Sequence, residues 1–491
     1  MNKLNILIAA SEVVPFAKSG GLADVAGALP KALRALGHDV RVVMPRYYIV
    51  DREKYGLKLL EGPLGVPMGS MGEAWAAVYE GVLPGTDVPV YFIDYERYFG
   101  RMGLYDENGF SYSDNDNRFV FFSKAVMQLC KMLHFRPDIL HANDWHTAAI
   151  PLLLNTRYAQ DDIFRGTASV LTIHNLQHQG HFYKGVVDVM EVPWEEYNPL
   201  SLESYGGVNL LKGGIAHADM LTTVSPTYAK EIQTSEFGWG LESHIQGHSH
   251  KLLGIINGID YDEWRPANDP FIAKPYNADD LKGKDACKKA LQKHFNLPQR
   301  KEVPLIGFVG RLVEQKGIDL LAQIMGGLLH MDIQIVLLGT GEKWAEHFFS
   351  DVASKYPDKF ACHIGYNNAL AHQIEAGSDF FLMPSLFEPC GLNQIYSLSY
   401  GTLPIVRATG GLDDTIENYD PHSGAGTGFK FDWATGDALY GTIKWAVDTW
   451  YGDPEQIVAM KKRAMRQHFG WEDSAKDYEK LYYYALGKRR K

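Results

Sequence analysis

Apolar residues follow two rhythms along the chain. Short, nearly uniform apolar runs alternate with longer stretches in which apolar positions recur every three or four residues. In the first half the runs predict strands at Leu4–Ala9, Val40–Met44, Val90–Ile93, Ile139–His141, Ser169–Ile173 and Met220–Val224. Leu22–Leu36 reads as a helix with Leu22, Val25, Ala26, Leu29 and Leu33 on one face and Gly37 as its stop, and Asn117–Leu133 as a second, long helix. The second half predicts strands at Leu305–Gly310, Ile333–Leu338, Ala361–Ile364, Phe380–Pro384 and Leu403–Val406, with helices near 318–329, 342–355, 369–376 and 391–400. Strand–helix–strand at this spacing means parallel sheets covered on both faces, so each half reads as a doubly wound α/β domain. The seam is expected near Ile256–Asp260, with the polar stretch 264–302 as an early excursion of the second domain. Such sheets bind ligands at the carboxyl ends of their strands, and two of them facing each other predict a cleft.

Composition narrows the function classes. A chain of 491 residues has room for two or three domains, and 59 acidic against 48 basic residues give a net charge of −11 with no basic block. Neither nucleic acid nor an anionic membrane is therefore an expected partner. Four cysteines without a CxxC pair argue against a disulfide scaffold or structural zinc and suit a reducing compartment. The longest charge-free stretch tempting as a membrane span, Pro389–Val406, is broken by Asn393, Gln394, Gly401 and Pro404 and is too polar for one. Ile6–Ala10 after Lys3 is too short for a signal sequence, so a cytoplasmic location is expected.

Four loops after strands carry candidate chemistry. Lys18-Ser19-Gly20-Gly21-Leu22-Ala23-Asp24 places two glycines and a lysine at a helix start, either as a plain turn or as an anion site. It matches neither GxxxxGK[ST] nor GxGxxG. Arg311, with Lys316-Gly317 beyond it, puts two cations after Leu305–Gly310, where they oppose a helix dipole unless an anion binds them. Ser385-Leu386-Phe387-Glu388-Pro389-Cys390-Gly391-Leu392 offers a carboxylate suited to sugar hydroxyls, or one that merely complements a helix start. Thr409-Gly410-Gly411-Leu412 again sets two glycines before a helix. Together these loops describe a site for a diphosphate attached to something polyhydroxylated. Gly339-Thr340-Gly341 lacks the rest of a dinucleotide fingerprint, which disfavours a nicotinamide enzyme. The histidine clusters 174/178/181 and 244/248/250 carry no HExxH motif, and His174-Asn175 suits substrate contact better than metal; His141, Asp144 and His146 line the neighbouring strand end.

In this order, the motifs resemble those of the bacterial glycogen synthases and plant starch synthases of glycosyltransferase family 5, over essentially the whole chain. Asn143-Asp144-Trp145-His146, Thr172-Ile173-His174-Asn175 and Ile256-Asn257-Gly258-Ile259-Asp260 add to the loops above. The resemblance implies a GT-B fold: two Rossmann-like doubly wound domains with an inter-domain cleft, spanning 1–256 and 257–466, and a helix in 467–491 that returns to the first. It implies retaining transfer of glucose from ADP-glucose to the non-reducing end of an α-1,4-glucan such as glycogen, starch or a malto-oligosaccharide, with no metal or cofactor. Glu388, His174, Arg311 and Lys316 are then the catalytic set. Lys18, Gly20, Gly21, Asp24, Asp144, Asn175, Tyr366, Cys390, Gly391, Leu392, Thr409, Gly410 and Gly411 are the substrate-binding set, with Tyr366 placed to pack on the base. Many relatives of this fold carry a second Glu eight residues after the first; here that position is Tyr396. One carboxylate alone favours front-face transfer over double displacement.

Overall fold

The computed structural model describes residues 3–107 and 109–490. The chain divides into two compact units, Met1–Asn257 with Trp471–Lys491, and Gly258–Gly470.

The first unit opens with β1 (Asn5–Ala9), β2 (Asp39–Pro45), β3 (Lys58–Leu59), β4 (Leu64–Pro67), β5 (Glu73–Val82) and β6 (Pro89–Asp94). A hairpin of β7 (Asp106–Glu107) and β8 (Phe110–Ser111) precedes β9 (Ile139–Asn143) and β10 (Ala168–Ile173). A small antiparallel sheet of β11 (His181–Phe182), β12 (Glu203–Ser204) and β13 (Gly207–Asn209) follows, then β14 (Met220–Thr223) and β15 (Leu252–Gly254). The main sheet runs β15-β14-β10-β9-β1-β2-β6-β5-β3, with β4 beside β5. Its centre is parallel, and β9, β10 and β14 are buried at every residue, as covering on both faces demands. The edge beyond β6 turns antiparallel, and β5 there alternates between exposed and buried residues. That meander is absent from the sequence expectation because its alternation is diluted by Ala and Gly.

The last helix, Trp471–Arg489, completes this unit. It buries Trp471, Tyr478, Leu481 and Tyr482 in one cluster with Ile6 and Ile8 of β1 and with Val25, Leu29 and Leu33 of the helix Gly21–Ala35.

In the second unit β16 (Leu305–Val309), β17 (Gln334–Gly339), β18 (Phe360–Ile364), β19 (Phe380–Met383), β20 (Leu403–Arg407) and β21 (Phe429–Phe431) form a parallel sheet ordered β18-β17-β16-β19-β20-β21. The polar stretch 264–302 contains the helix Lys282–His294, and buried polar contacts fasten it to the sheet. Lys284 Nζ donates to Ala376 O at 3.1 Å and Thr402 Oγ1 at 2.6 Å, while Tyr276 donates to Tyr400 O at 2.9 Å. Asp379 pairs with Lys288 and Lys461, both at 2.7 Å, and this pairing holds its carboxyl down near 2 against the opposing effect of burial.

Candidate active site

In each unit the chain builds its sheet first to one side of the leading strand and then to the other. A crevice therefore opens at the carboxyl ends of β1 and β9 in the first unit, and of β16 and β19 in the second.

After β1 the chain passes Glu12 before reaching the glycine loop. Glu12 is 4% exposed and accepts the Ser19 N–H, the Ser19 hydroxyl at 3.1 Å and the Gly20 N–H at 3.2 Å. Burial pushes its carboxyl up, and these donors partly offset that. Lys18 Nζ pairs with Asp24 Oδ1 at 2.7 Å, and burial raises the Asp24 carboxyl in spite of the lysine. Gly20 is extended, with φ −151°, and a Cβ on Gly21 would meet nothing within 4 Å. Neither backbone strain nor internal packing asks for glycine here, and the helix Gly21–Ala35 has no side-chain cap.

After β9, Asp144 adopts the left-handed conformation, with φ 54°. Its Oδ1 accepts the N–H of His174 at 2.7 Å and of Asn175 at 3.5 Å, so it shapes the loop after β10. Burial pushes this carboxyl up to about 7. His174 Nε2 lies 2.9 Å from Asn143 Oδ1, and Asn143 Nδ2 donates to Ala9 O at 3.1 Å, tying β9 to β1. Burial lowers the His174 imidazole to about 3, leaving a neutral ring that donates to Asn143. Asn175 is half-buried, and its Oδ1 accepts the Gln177 N–H at 3.0 Å. His146 stacks on Tyr105 with ring centres 4.5 Å apart. His244 and His248 instead meet the Lys212 and His244 carbonyls. Among the described residues no group of three or more His, Cys, Asp or Glu side chains is arranged for a metal ion.

In the second unit Lys316 Nζ pairs with Glu388 Oε2 at 2.6 Å, although 72 residues separate them. Ser385 donates to the same oxygen at 3.0 Å. Glu388 is 6% exposed, and the pair lines a cavity of about 90 Å³ with Val309, Gly310, Ser385 and Gly391. Lys316 reaches it from a tight turn, because Gly317 has φ 69° and a Cβ there would lie 2.0 Å from Pro384 O. Arg311 is exposed, with Nη2 3.2 Å from Gln315 Oε1, and Gln315 in turn donates to Phe387 O at 3.3 Å. Gly391 has φ 72°, while Cys390 is buried and Leu392 half-buried at the start of the helix Asn393–Ser399. Tyr366, after β18, is 85% exposed.

Thr409, Gly410 and Gly411 pack against the Glu388 loop from behind. A Cβ on Gly410 would lie 2.0 Å from Glu388 O, and one on Gly411 2.1 Å from Cys390 O. The Gly411 N–H donates to the Glu388 and Pro389 carbonyls, both at 3.1 Å, so it is not open to an anion in this conformation. Tyr396 stacks face to face on Trp264, with ring centres 3.8 Å apart.

The family described as starch synthase catalytic domain matches residues 5–247, and that of the group 1 glycosyl transferases matches residues 290–466. Glycogen synthase 1 of Geobacter metallireducens is 58% identical over 100% of this chain and 97% of its own length. The glycogen synthase of Anaeromyxobacter sp. is 46% identical over 98% and 99%. The chain belongs to the starch and glycogen synthase family. It is a glycosyltransferase with the GT-B fold: the catalytic domain of starch synthase IV from Arabidopsis thaliana superposes with a TM-score of 0.90 at 33% identity, covering 99% of this chain and 100% of that one.

The sequence assigns no role to Glu12, Asn143, Ser385 or Gln315, which hold the site loops, although Asn143 and Ser385 lie within the motifs it singles out. Glu12 left one signal, a lone charge in the apolar run Ala9–Val14 directly after the first strand. The others are ordinary polar residues until the strand order brings their partners to them. No helix among the described residues is long and apolar enough to cross a membrane.

Proposed function

We propose that the protein transfers glucose from ADP-glucose to the non-reducing end of an α-1,4-glucan with retention of configuration, releasing ADP. The observation that carries this reading is the Lys316–Glu388–Ser385 cluster, with Arg311 on the same post-strand loop as Lys316, at the point where the strand order of the second sheet reverses. The Arabidopsis starch synthase IV structure, 33% identical to this chain, is of a domain bound to ADP and acarbose.

In the proposed reaction Arg311 and Lys316 take up the charge of the departing diphosphate, Arg311 as a planar fork and Lys316 as a point charge. Glu388 orients the glucose hydroxyls and keeps Lys316 in place. The bond from glucose C1 to the diphosphate oxygen breaks while the acceptor 4-hydroxyl bonds to C1 on the same face. The hydroxyl proton passes to the leaving oxygen. Tyr396, stacked on Trp264, takes the place of a second carboxylate, which supports a route without a covalent glucosyl-enzyme. In the first unit, Lys18 and the bare Gly20-Gly21 backbone serve the diphosphate, Asp24 positions Lys18, and neutral His174 and Asn175, shaped by Asp144, hold the sugar. The Glu388–Leu392 loop, backed by Thr409–Gly411, forms the sugar and phosphate wall, and Tyr366 packs on the base. Protein cations do the work that a metal would otherwise do, so the reaction is proposed to need no cofactor. A cytoplasmic location suits four free cysteines and a nucleotide-sugar donor.

The test is to offer ADP-glucose and UDP-glucose separately with a short malto-oligosaccharide and a chelator, reading chain length and nucleoside diphosphate release. Stepwise elongation with ADP-glucose is expected. Preference for UDP-glucose overturns the donor, and no elongation with either overturns the reaction. Arg311→Ala is the cleaner variant, because Arg311 is exposed and its loss orphans no buried charge. It is expected to lower turnover by about 10²–10³ with little change in melting temperature.

A further inference from the structure

Glu12 is a buried carboxyl that the proposed reaction leaves without a part. Among the described residues it forms no ion pair. Its partners are the N–H and hydroxyl of Ser19, the N–H of Gly20 and the hydroxyl of Tyr105. Ser19 and Gly20 are the two residues just ahead of the helix Gly21–Ala35. A capping side chain would instead accept from the first helical turn. Glu12 therefore grips the approach to the helix, and the N–H groups of Gly21 and Leu22 keep no acceptor among the described residues. A Cβ on Gly21 would meet nothing within 4 Å and one on Gly20 only Glu12 Oε1 at 3.9 Å, so neither glycine is packed tightly against its surroundings. Backbone donors at the start of a long helix, at the carboxyl end of the leading strand, are suited to an anion.

We propose that Glu12 is a positioning residue for donor binding: tethered to Ser19 and Gly20, it fixes the Lys18–Gly21 loop so that the Gly21 and Leu22 N–H groups meet the donor diphosphate. This rests on the reading of the donor as ADP-glucose. The tether works through acceptor geometry rather than charge. One oxygen, Oε2, takes both backbone N–H groups, and the carboxyl's remaining partners are the hydroxyls of Ser19 and Tyr105, each of which can reverse its role. Glutamine reproduces this arrangement: its carbonyl oxygen takes the two N–H groups and its amide donates to Ser19 Oγ. Alanine removes every one of these bonds, and aspartate draws the carboxyl back from Ser19.

The experiment compares Glu12→Gln, Glu12→Ala and Glu12→Asp with the wild-type chain in kcat, KM for ADP-glucose, KM for malto-oligosaccharide, ADP affinity by calorimetry and melting temperature. Glu12→Ala is expected to weaken ADP binding and raise KM for ADP-glucose by about tenfold or more, the scale for a site held out of place, with the malto-oligosaccharide KM unchanged. Glu12→Gln is expected to stay within about threefold of wild type on every measure, since it keeps the geometry. A folded Glu12→Ala with unchanged ADP affinity overturns the proposal. So does a Glu12→Gln as impaired as Glu12→Ala, or a loss shared equally by both substrates. If Glu12→Ala does not fold, Glu12→Asp must show the same selective loss of ADP affinity, and its absence overturns the proposal. A wild-type chain that binds ADP without turning over ADP-glucose points to failure of the donor reading instead.

Discussion

Two glycine pairs with nearly the same local sequence do different physical jobs. Gly20-Gly21 sits in relaxed backbone beside open space, whereas Gly410-Gly411 is pressed onto the carbonyls of Glu388 and Cys390. Both pairs precede a helix and follow a strand, so periodicity and turn chemistry read them alike. The difference lies in what stands opposite, and that is set far away in the chain. It predicts opposite consequences for one added methyl group. Gly21→Ala is expected to leave the urea-unfolding midpoint within error, since alanine suits a helix start, and to raise KM for ADP-glucose. Gly411→Ala is expected to destabilise by about 1–3 kcal/mol or more through forced backbone displacement. Chemical denaturation followed by steady-state kinetics on both variants separates the two cases. A stable Gly411→Ala, or a destabilised Gly21→Ala, contradicts this assignment.

Among the elements, the closing helix Trp471–Arg489 shows most clearly how a local pattern acquires a distant role. Its apolar and aromatic residues announce a packed helix without naming the partner. In the fold Tyr482 meets His141 Nδ1 at 2.8 Å, and His141 Nε2 meets Thr172 Oγ1 at 2.7 Å, which lies 2.5 Å from Thr222 Oγ1. One chain of hydrogen bonds thus runs from the helix across β9, β10 and β14, inside the sheet whose ends carry Asp144 and His174. Tyr482→Phe leaves one His141 nitrogen buried without a partner, which is expected to cost about 1–3 kcal/mol. Melting temperature and turnover per folded molecule together check this. Lower stability with retained turnover is expected, and unchanged stability would show that the bond contributes nothing net. Strand positions were legible for the same reason that this link was not. A parallel strand buried on both faces reads as an apolar run, but nothing in the run says which neighbour it takes.

At the scale of the whole molecule, acid is where buried chemistry becomes visible. Burial holds His141 and His174 near 3 and His146 well below its ordinary value, so all three stay neutral in the folded chain. The unfolded chain protonates them below about pH 6.5, so it binds more protons than the folded chain and stability falls as pH falls. Asp144, raised to about 7, works the other way between about pH 4 and 7, because there the folded chain holds its proton more tightly, and the raised Glu12 acts in the same direction. His146→Phe keeps an aromatic ring beside Tyr105 and Phe119 and removes one of the three histidines. It is expected to flatten the loss of stability between pH 6.5 and 4.5 by about 1.4 kcal/mol per pH unit, and unfolding midpoints across that range would show it. An unchanged slope would mean that His146 titrates normally in the folded chain. The sequence by itself determined the α/β class, most of the strands and helices, and the loops that carry cations, glycines and the Glu388 carboxylate, because burial on two faces and helix punctuation are written in local residue order. Tertiary structure alone decided that Glu12 grips Ser19, that Asp144 shapes the His174 loop, that Lys316 closes on Glu388, and that Gly411 backs the Glu388 loop. Those pairings depend on the order in which strands lie beside one another, which is settled by packing over the whole sheet and by no short segment of the chain.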